Sequence, residues 1–135
     1  MMIADCLSMS NISSQLVLQA YCNGVFPMAH PEENNRIYWH APDPRAILPI
    51  GGFHVPTNLE RLVRQQPFTV VTDRAFEQVI RACSERMTTW ISEDIISVYC
   101  ELHRREYAHL VECWQEGRLV GGLYGVAVKG AFFGE

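Results

Sequence analysis

Glu135 is the residue in this chain whose chemistry is hardest to explain as packing. It follows Ala131-Phe132-Phe133-Gly134 and so ends an apolar β-run, with Gly121, Gly122 and Gly125 in the strand before. A carboxylate in such a place must meet solvent, a cation or a substrate amine, because burying it unpaired is costly. Two further segments stand out. In Tyr38-Trp39-His40-Ala41-Pro42-Asp43-Pro44-Arg45, two prolines fix a turn that holds an Asp near an Arg. Tyr21 followed by Gly24-Val25-Phe26-Pro27-Met28 reads, taken alone, as a helix end packed by aromatics. Other chemistries find less support. His30, His40, His54, His103 and His109 form no H-x-x-x-H or H-E-x-x-H pair, so no metal set is expected, and each reads as a surface or hydrogen-bonded structural histidine. Gly121-Gly122-Leu123-Tyr124-Gly125 lacks the Lys-Ser/Thr of a phosphate loop, and no base marks a Ser or Cys as nucleophile.

The elements that must position these residues follow from periodicity. Ser13 or Ser14 can cap a helix with Leu16, Leu18, Ala20 and Tyr21, ending near Asn23-Gly24. Residues 27–49 hold five of the prolines and read as a loop-rich connector, with Ile37-Tyr38-Trp39 as its best strand. A second helix fits Asn58 to Gln66, and Phe68 to Thr72 is a β-branched run. Asp73 is expected to cap a helix through Cys83, in which Glu77 pairs with Arg81 four positions on. Ser92 caps a fourth from Ser92 to about Arg105, in which Ile95, Ile96, Tyr99 and Leu102 are expected to bury. The tail then changes period. His109–Trp114, Arg118–Val128 and Ala131–Glu135 alternate as strands, with Glu116-Gly117 and Lys129-Gly130 as hairpin turns. Gly121-Gly122 marks a bulge or a close approach to the backbone. The fold class is therefore α+β.

Composition bounds the rest. The chain has 135 residues, 48% hydrophobic and 19% charged, a globular balance able to bury a core. No apolar run approaches the roughly 18–20 residues of a membrane span. The start of the chain lacks the basic region of a signal peptide. Five cysteines without a C-x-x-C pair read as scattered reduced thiols, which points to the cytoplasm. A net charge of −4 argues against nucleic-acid binding by bulk electrostatics but leaves room for a local basic face.

Together with Ala75-Phe76-Glu77-Gln78-Val79-Ile80-Arg81-Ala82-Cys83, Thr89-Trp90-Ile91 and Ala108-His109, the three segments resemble the bacterial leucyl/phenylalanyl-tRNA–protein transferases over about residues 16–135. Phe53-His54-Val55-Pro56 is similar to a variant common in that family. Residues 1–12, polar and small, read as a flexible lead-in, and the resemblance implies a small N-terminal lobe with its Pro-rich connector over 13–45. An incomplete N-acetyltransferase-like (GNAT) lobe with an antiparallel meander would fill 46–135. It implies transfer of Leu or Phe, less often Met, from aminoacyl-tRNA to the N-terminal Arg or Lys of acceptor proteins, feeding N-degron-dependent proteolysis. No metal or small cofactor is implied, nor a membrane, and the complete protein is expected to be a monomer.

Residue by residue, the resemblance places Trp90 against the terminal adenine of the tRNA, where an aromatic face suits a single-stranded end. It places Glu135 in the active centre, and Leu123 and Phe132 along the pocket for the donor side chain. Arg61 and Arg64 fall on a helix that faces the acceptor stem. Met28 stands where many members carry a second stacking Trp, and its thioether can cover a base less specifically. Leu110 departs from the usual small polar residue. Family members continue past Glu135 with an Asp and a Gln that manage the proton of the attacking amine, so the chain reads as truncated at its C-terminus. The second reading is accordingly a catalytically inactive fragment that binds the tRNA end. An ordinary N-acetyltransferase is a weaker third, because no acetyl-CoA pyrophosphate loop is recognisable.

Overall fold

Ser13 starts the first helix as expected: its hydroxyl accepts from the Leu16 N–H at 3.2 Å, satisfying one of the amides a helix start leaves free. The computed structural model describes residues 12–135 and the backbone of a short strand, β1 (Met2–Ile3); the remainder of the expected lead-in lies outside the described residues. Helix α1 (Ser14–Cys22) leads into the strands β2 (Phe26–His30) and β3 (Arg36–His40). Together with β1 these form a three-stranded antiparallel sheet in the order β1-β3-β2. Helix α2 (Thr57–Gln65), strand β4 (Thr69–Thr72) and helices α3 (Phe76–Ser84) and α4 (Glu93–Arg104) follow. Three strands, β5 (Ala108–Gln115), β6 (Arg118–Val128) and β7 (Ala131–Gly134), complete a four-stranded antiparallel sheet in the order β4-β5-β6-β7. The architecture is α+β, as the sequence indicates.

Both meander turns form where expected. Glu116-Gly117 and Lys129-Gly130 have positive φ at both positions, the backbone that matches the twist of a tight hairpin. The register of β5 on β6 slips between Cys113 and Trp114, leaving Val120 without a partner beside Gly121. The expected bulge is there, and so is the close approach. A Cβ on Gly122 would lie 2.7 Å from the Val79 side chain of α3, and one on Gly125 would lie 2.2 Å from the Phe133 carbonyl oxygen. Those two glycines let α3 and β7 lie against β6.

One face of the four-stranded sheet carries the core. Val17, Leu18 and Tyr21 of α1, Phe76, Val79 and Ile80 of α3, and Ile95, Ile96, Val98, Tyr99 and Leu102 of α4 bury against Ala108, Leu110, Tyr124 and Val126. Each aliphatic so buried contributes about 1.5–3 kcal/mol. The opposite face stays open. Val111, Leu123 and Phe132, which alternate with the core residues along their strands, are exposed. Helix α2 has no buried residue.

The start of α3 departs from expectation. Asp73 does not cap it. With φ of 57°, Asp73 turns back to β5, where its carboxylate accepts from the Leu110 N–H at 3.0 Å and from His109 Nδ1 at 3.1 Å. Burial works against the charged form, but these bonds win and hold its carboxyl below the usual range. The amides at the helix start are met from the sheet instead. Glu112 Oε1 accepts from the Arg74 and Ala75 N–H groups at 2.7 and 2.8 Å, and its Oε2 accepts from Trp114 Nε1 at 2.8 Å. Glu112 is fully inaccessible to solvent, and three donors repay the desolvation of one carboxylate. Its pKa is lowered despite the burial.

Candidate active site

The site is built where α1, α4 and the end of β7 converge. Tyr21 occupies the buried side of α1 with Val17 and Leu18, and Tyr99 the buried side of α4 with Ile95, Ile96 and Leu102. Their rings meet edge to face with centroids 6.4 Å apart, and their hydroxyls lie 2.5 Å apart. The Tyr21 hydroxyl donates to Glu135 Oε1. A carboxylate only accepts, so Tyr21 spends its proton on Glu135 and receives that of Tyr99. The bonds run in one direction, from Tyr99 to Tyr21 to Glu135.

Backbone geometry aims Glu135 into this corner. Gly125 pairs with Gly134 and Val126 with Phe133, and the Glu135 N–H donates to the Tyr124 carbonyl at 2.9 Å. Alternation then sends the Glu135 side chain to the same face as Phe133, toward the helices. Phe133 stacks edge-on against Tyr21 at 5.2 Å, and Tyr124 meets Tyr99 at 5.7 Å. Among the described residues the Tyr124 hydroxyl has no hydrogen-bond partner.

Desolvation dominates the electrostatics. Burial pushes the Glu135 carboxyl up to about 7, while the Tyr21 hydroxyl and the Arg45 charge pull the other way. Burial, then the charges of its neighbours, raises the Tyr21 phenol far above its ordinary range, and Tyr99 and Tyr124 rise for the same first reason. The three phenols are therefore neutral hydrogen-bonding groups at neutral pH. Glu135 alone can change charge there, the condition a group needs to accept or orient an amine proton.

The other expected residues fall in three places. Trp90, half-buried at the edge of the core, accepts through its carbonyl from the Ala29 N–H at 3.0 Å, which draws its backbone beside β2, the strand that carries Met28. Leu123 and Phe132 lie on the open face of the sheet, 46% and 45% exposed. They flank Gly134: a Cβ there would sit 3.5 Å from Leu123 Cδ1 and 3.8 Å from Phe132 Cε1. They thus pack at Gly134, the residue before Glu135, but lie across the sheet from its carboxylate. Arg61 and Arg64 are exposed on α2, away from this corner, and Arg64 pairs with Glu60 at 2.6 Å. In the connector Arg45 bonds the Gly24 carbonyl at 2.8 Å. Glu135 itself meets a phenol, a partner not among those anticipated.

Sequence reasoning placed Tyr21 and Tyr99 in helix interiors without joining them. The available signal was a Tyr on each apolar stripe, since a buried phenol needs a partner for its hydroxyl. Among the described residues no group of three or more His, Cys, Asp or Glu is placed to hold a metal ion, and Cys22, Cys83, Cys100 and Cys113 are free thiols. No helix among them is long and apolar enough to cross a membrane.

This α+β frame with a carboxylate–diphenol corner has clear relatives. A family profile described as leucyl/phenylalanyl-tRNA protein transferase matches residues 47–135, and the profile of that family's N-terminal domain matches residues 10–43. The chain is 58% identical over 125 residues to the leucyl/phenylalanyl-tRNA–protein transferase of Salinibacter ruber, with 93% of this chain and 55% of that protein covered. It is 50% identical to the protein of the same name from Paramagnetospirillum magneticum (94% and 63% covered) and 49% to that of Herpetosiphon aurantiacus (92% and 64%). The chain belongs to the leucyl/phenylalanyl-tRNA protein transferase family. It spans a little over half to about two thirds of the length of these relatives.

Proposed function

We propose that the protein transfers Leu or Phe, less often Met, from aminoacyl-tRNA to the N-terminal Arg or Lys of an acceptor protein, in the cytoplasm and in service of N-degron-dependent proteolysis. The observation that carries this reading is the Glu135 carboxylate held by a buried phenol pair in a chain of this family. The acceptor's α-amine attacks the aminoacyl ester. The new C–N bond forms, the ester C–O bond breaks, the amine loses a proton and the ribose oxygen of the tRNA gains one. The ester is already activated, so holding the two reactants together can supply much of the rate. Glu135 orients the amine or a ribose hydroxyl and forms no covalent adduct, with Tyr21 fixing its free lone pairs.

The remaining assignments rest on the resemblance to the family. Trp90 and Met28 provide the surface for the terminal adenine. Leu123 and Phe132 provide apolar walls for the donor side chain, as Leu and Phe require, and Arg61 and Arg64 contact acceptor-stem phosphates. Residues 13–45 form the small lobe and 46–135 belong to an N-acetyltransferase-like lobe. The test is transfer of labelled Leu from Leu-tRNA to an Arg-initiated peptide. Incorporation that disappears in Glu135→Gln supports the reading, and incorporation indifferent to that substitution overturns it.

A second reading is a module that binds the tRNA end, through Trp90 and Met28, without transferring. Binding of a 3′-aminoacyl-adenosine analogue without incorporation would select it.

A further inference from the structure

We propose that Arg45 is the positioning residue of this site: its guanidinium clamps β2 to β7 and so holds Glu135 against Tyr21. The first observation is an inversion of burial. Arg45 is half-buried inside a stretch, residues 42–50, in which every other residue is exposed, Ile47, Leu48 and Ile50 included. A charged side chain turned inward where three aliphatics face water needs a specific reason.

The contacts supply it. The Arg45 guanidinium carbon lies 5.6 Å from the Phe26 ring centroid on β2 and 5.4 Å from that of Phe133 on β7, within reach of the quadrupole of both rings. One terminal nitrogen donates to the Gly24 carbonyl at 2.8 Å, at the turn from α1 into β2. Phe133 is two residues before Glu135 and packs on Tyr21 at 5.2 Å. One flat cation therefore touches the small sheet, the turn that follows the helix carrying Tyr21, and the strand that leads into Glu135. A lysine cannot stack in this way, since its ammonium is a point charge without a plane.

Arg45 is also the cation that acts on Glu135. The groups facing that carboxylate are Tyr21 from α1, Tyr99 from α4, Tyr124 from β6 and Arg45 from the connector, and of these Arg45 alone is charged. Burial drives Glu135 toward its neutral form, and Arg45 restrains that drift.

The inference rests on the transferase reading for its consequence in catalysis but not for its test. The carboxyl titration of Glu135 is followed by carbon-13 NMR in the 135-residue chain and in Arg45→Met, Arg45→Lys and Phe26→Leu. Arg45→Met should raise the Glu135 midpoint by about one unit, the smaller end of what removing a neighbouring opposite charge does. Arg45→Lys should return most of that shift, yet leave kcat for transfer of labelled Leu lowered with KM little changed. Phe26→Leu, which opens one side of the clamp and keeps the charge, should move the midpoint in the same direction by less, and it reads the clamp even if Arg45→Met does not fold. An unchanged midpoint in folded Arg45→Met, or in Phe26→Leu if the former is unfolded, overturns the proposal. Absence of transfer by the unaltered chain would instead count against the transferase reading, and the midpoints would still decide the role of Arg45.

Discussion

The hydroxyl of Tyr21 donates to the carboxylate of Glu135 across a separation of 114 residues, joining the first helix of the described chain to the end of its last strand. Burial sets the acidity of this carboxyl, and that has a measurable consequence. Its folded value, about 7, stands above the ordinary 4.5, so folding takes up a proton between those two values. The associated stability is present in full below pH 4.5 and lost as pH rises through 7. Chemical unfolding at pH 5 and pH 8 should differ by at most about 3 kcal/mol from this group. Glu135→Gln should flatten that slope and abolish transfer. Tyr21→Phe removes a bond to the charged form and should push the Glu135 midpoint higher still. A slope unchanged in Glu135→Gln would place its origin elsewhere.

Glu112 predicts the opposite pH response. Its folded pKa is depressed, so the stability it gives is present above its ordinary value and lost as pH falls through the folded one. Glu112→Gln puts an amide donor against at least one of three N–H donors. We expect a loss of about 1–3 kcal/mol, the cost of leaving a buried donor unmet, read as a lower midpoint of urea unfolding with the slope unaltered.

Trp90→Ala should weaken binding of a 3′-aminoacyl-adenosine analogue by about 1–3 kcal/mol, the scale of one aromatic–base stack. Calorimetric titration measures it. Equal affinity would leave Trp90 as a core-edge residue that only braces β2 through its backbone bond to Ala29.

Leu123→Trp should discriminate between donors. The residue is exposed on the open face of the sheet, so the added volume strains no core. Transfer of Phe should fall more than transfer of Leu, with the melting temperature little changed. Equal losses for both donors would remove Leu123 from the donor pocket.

Caps and periods make most of the elements legible in the amino-acid sequence. Ser13 and Ser92 cap as read, and both two-residue turns form. Strand β2 escaped because Pro27 is its second residue, and a proline within a run ordinarily argues against a strand. It is tolerated because β2 is an edge, bonded to β3 on one side only. Asp73 misled for a different reason. It has the chemistry of a cap, and so has Glu112, which lies 37 residues from Ala75; local reasoning finds the first and cannot rank it against the second. Alternation could have raised Glu112, since it shares a strand face with Ala108 and Leu110. The site was visible in part. Glu135 stood out by its apolar setting, but the direction of its side chain depends on a β6–β7 register that no single segment encodes. The same register puts Leu123 and Phe132 across the sheet from it.

Helix α2, in which no residue is buried, gives the molecule an uneven resistance to opening. Nine-residue helices are marginal in water without tertiary support, and Leu59, Leu62 and Val63 of this one face solvent. Its amide hydrogens should exchange with deuterium orders of magnitude sooner than those of α3, whose start is stitched to β5 by Glu112, and α2 should open without the rest of the chain. Any polyanion that engages Arg61 and Arg64 would then also have to order the turns that present them, so its affinity would carry an entropic penalty and steepen as temperature falls.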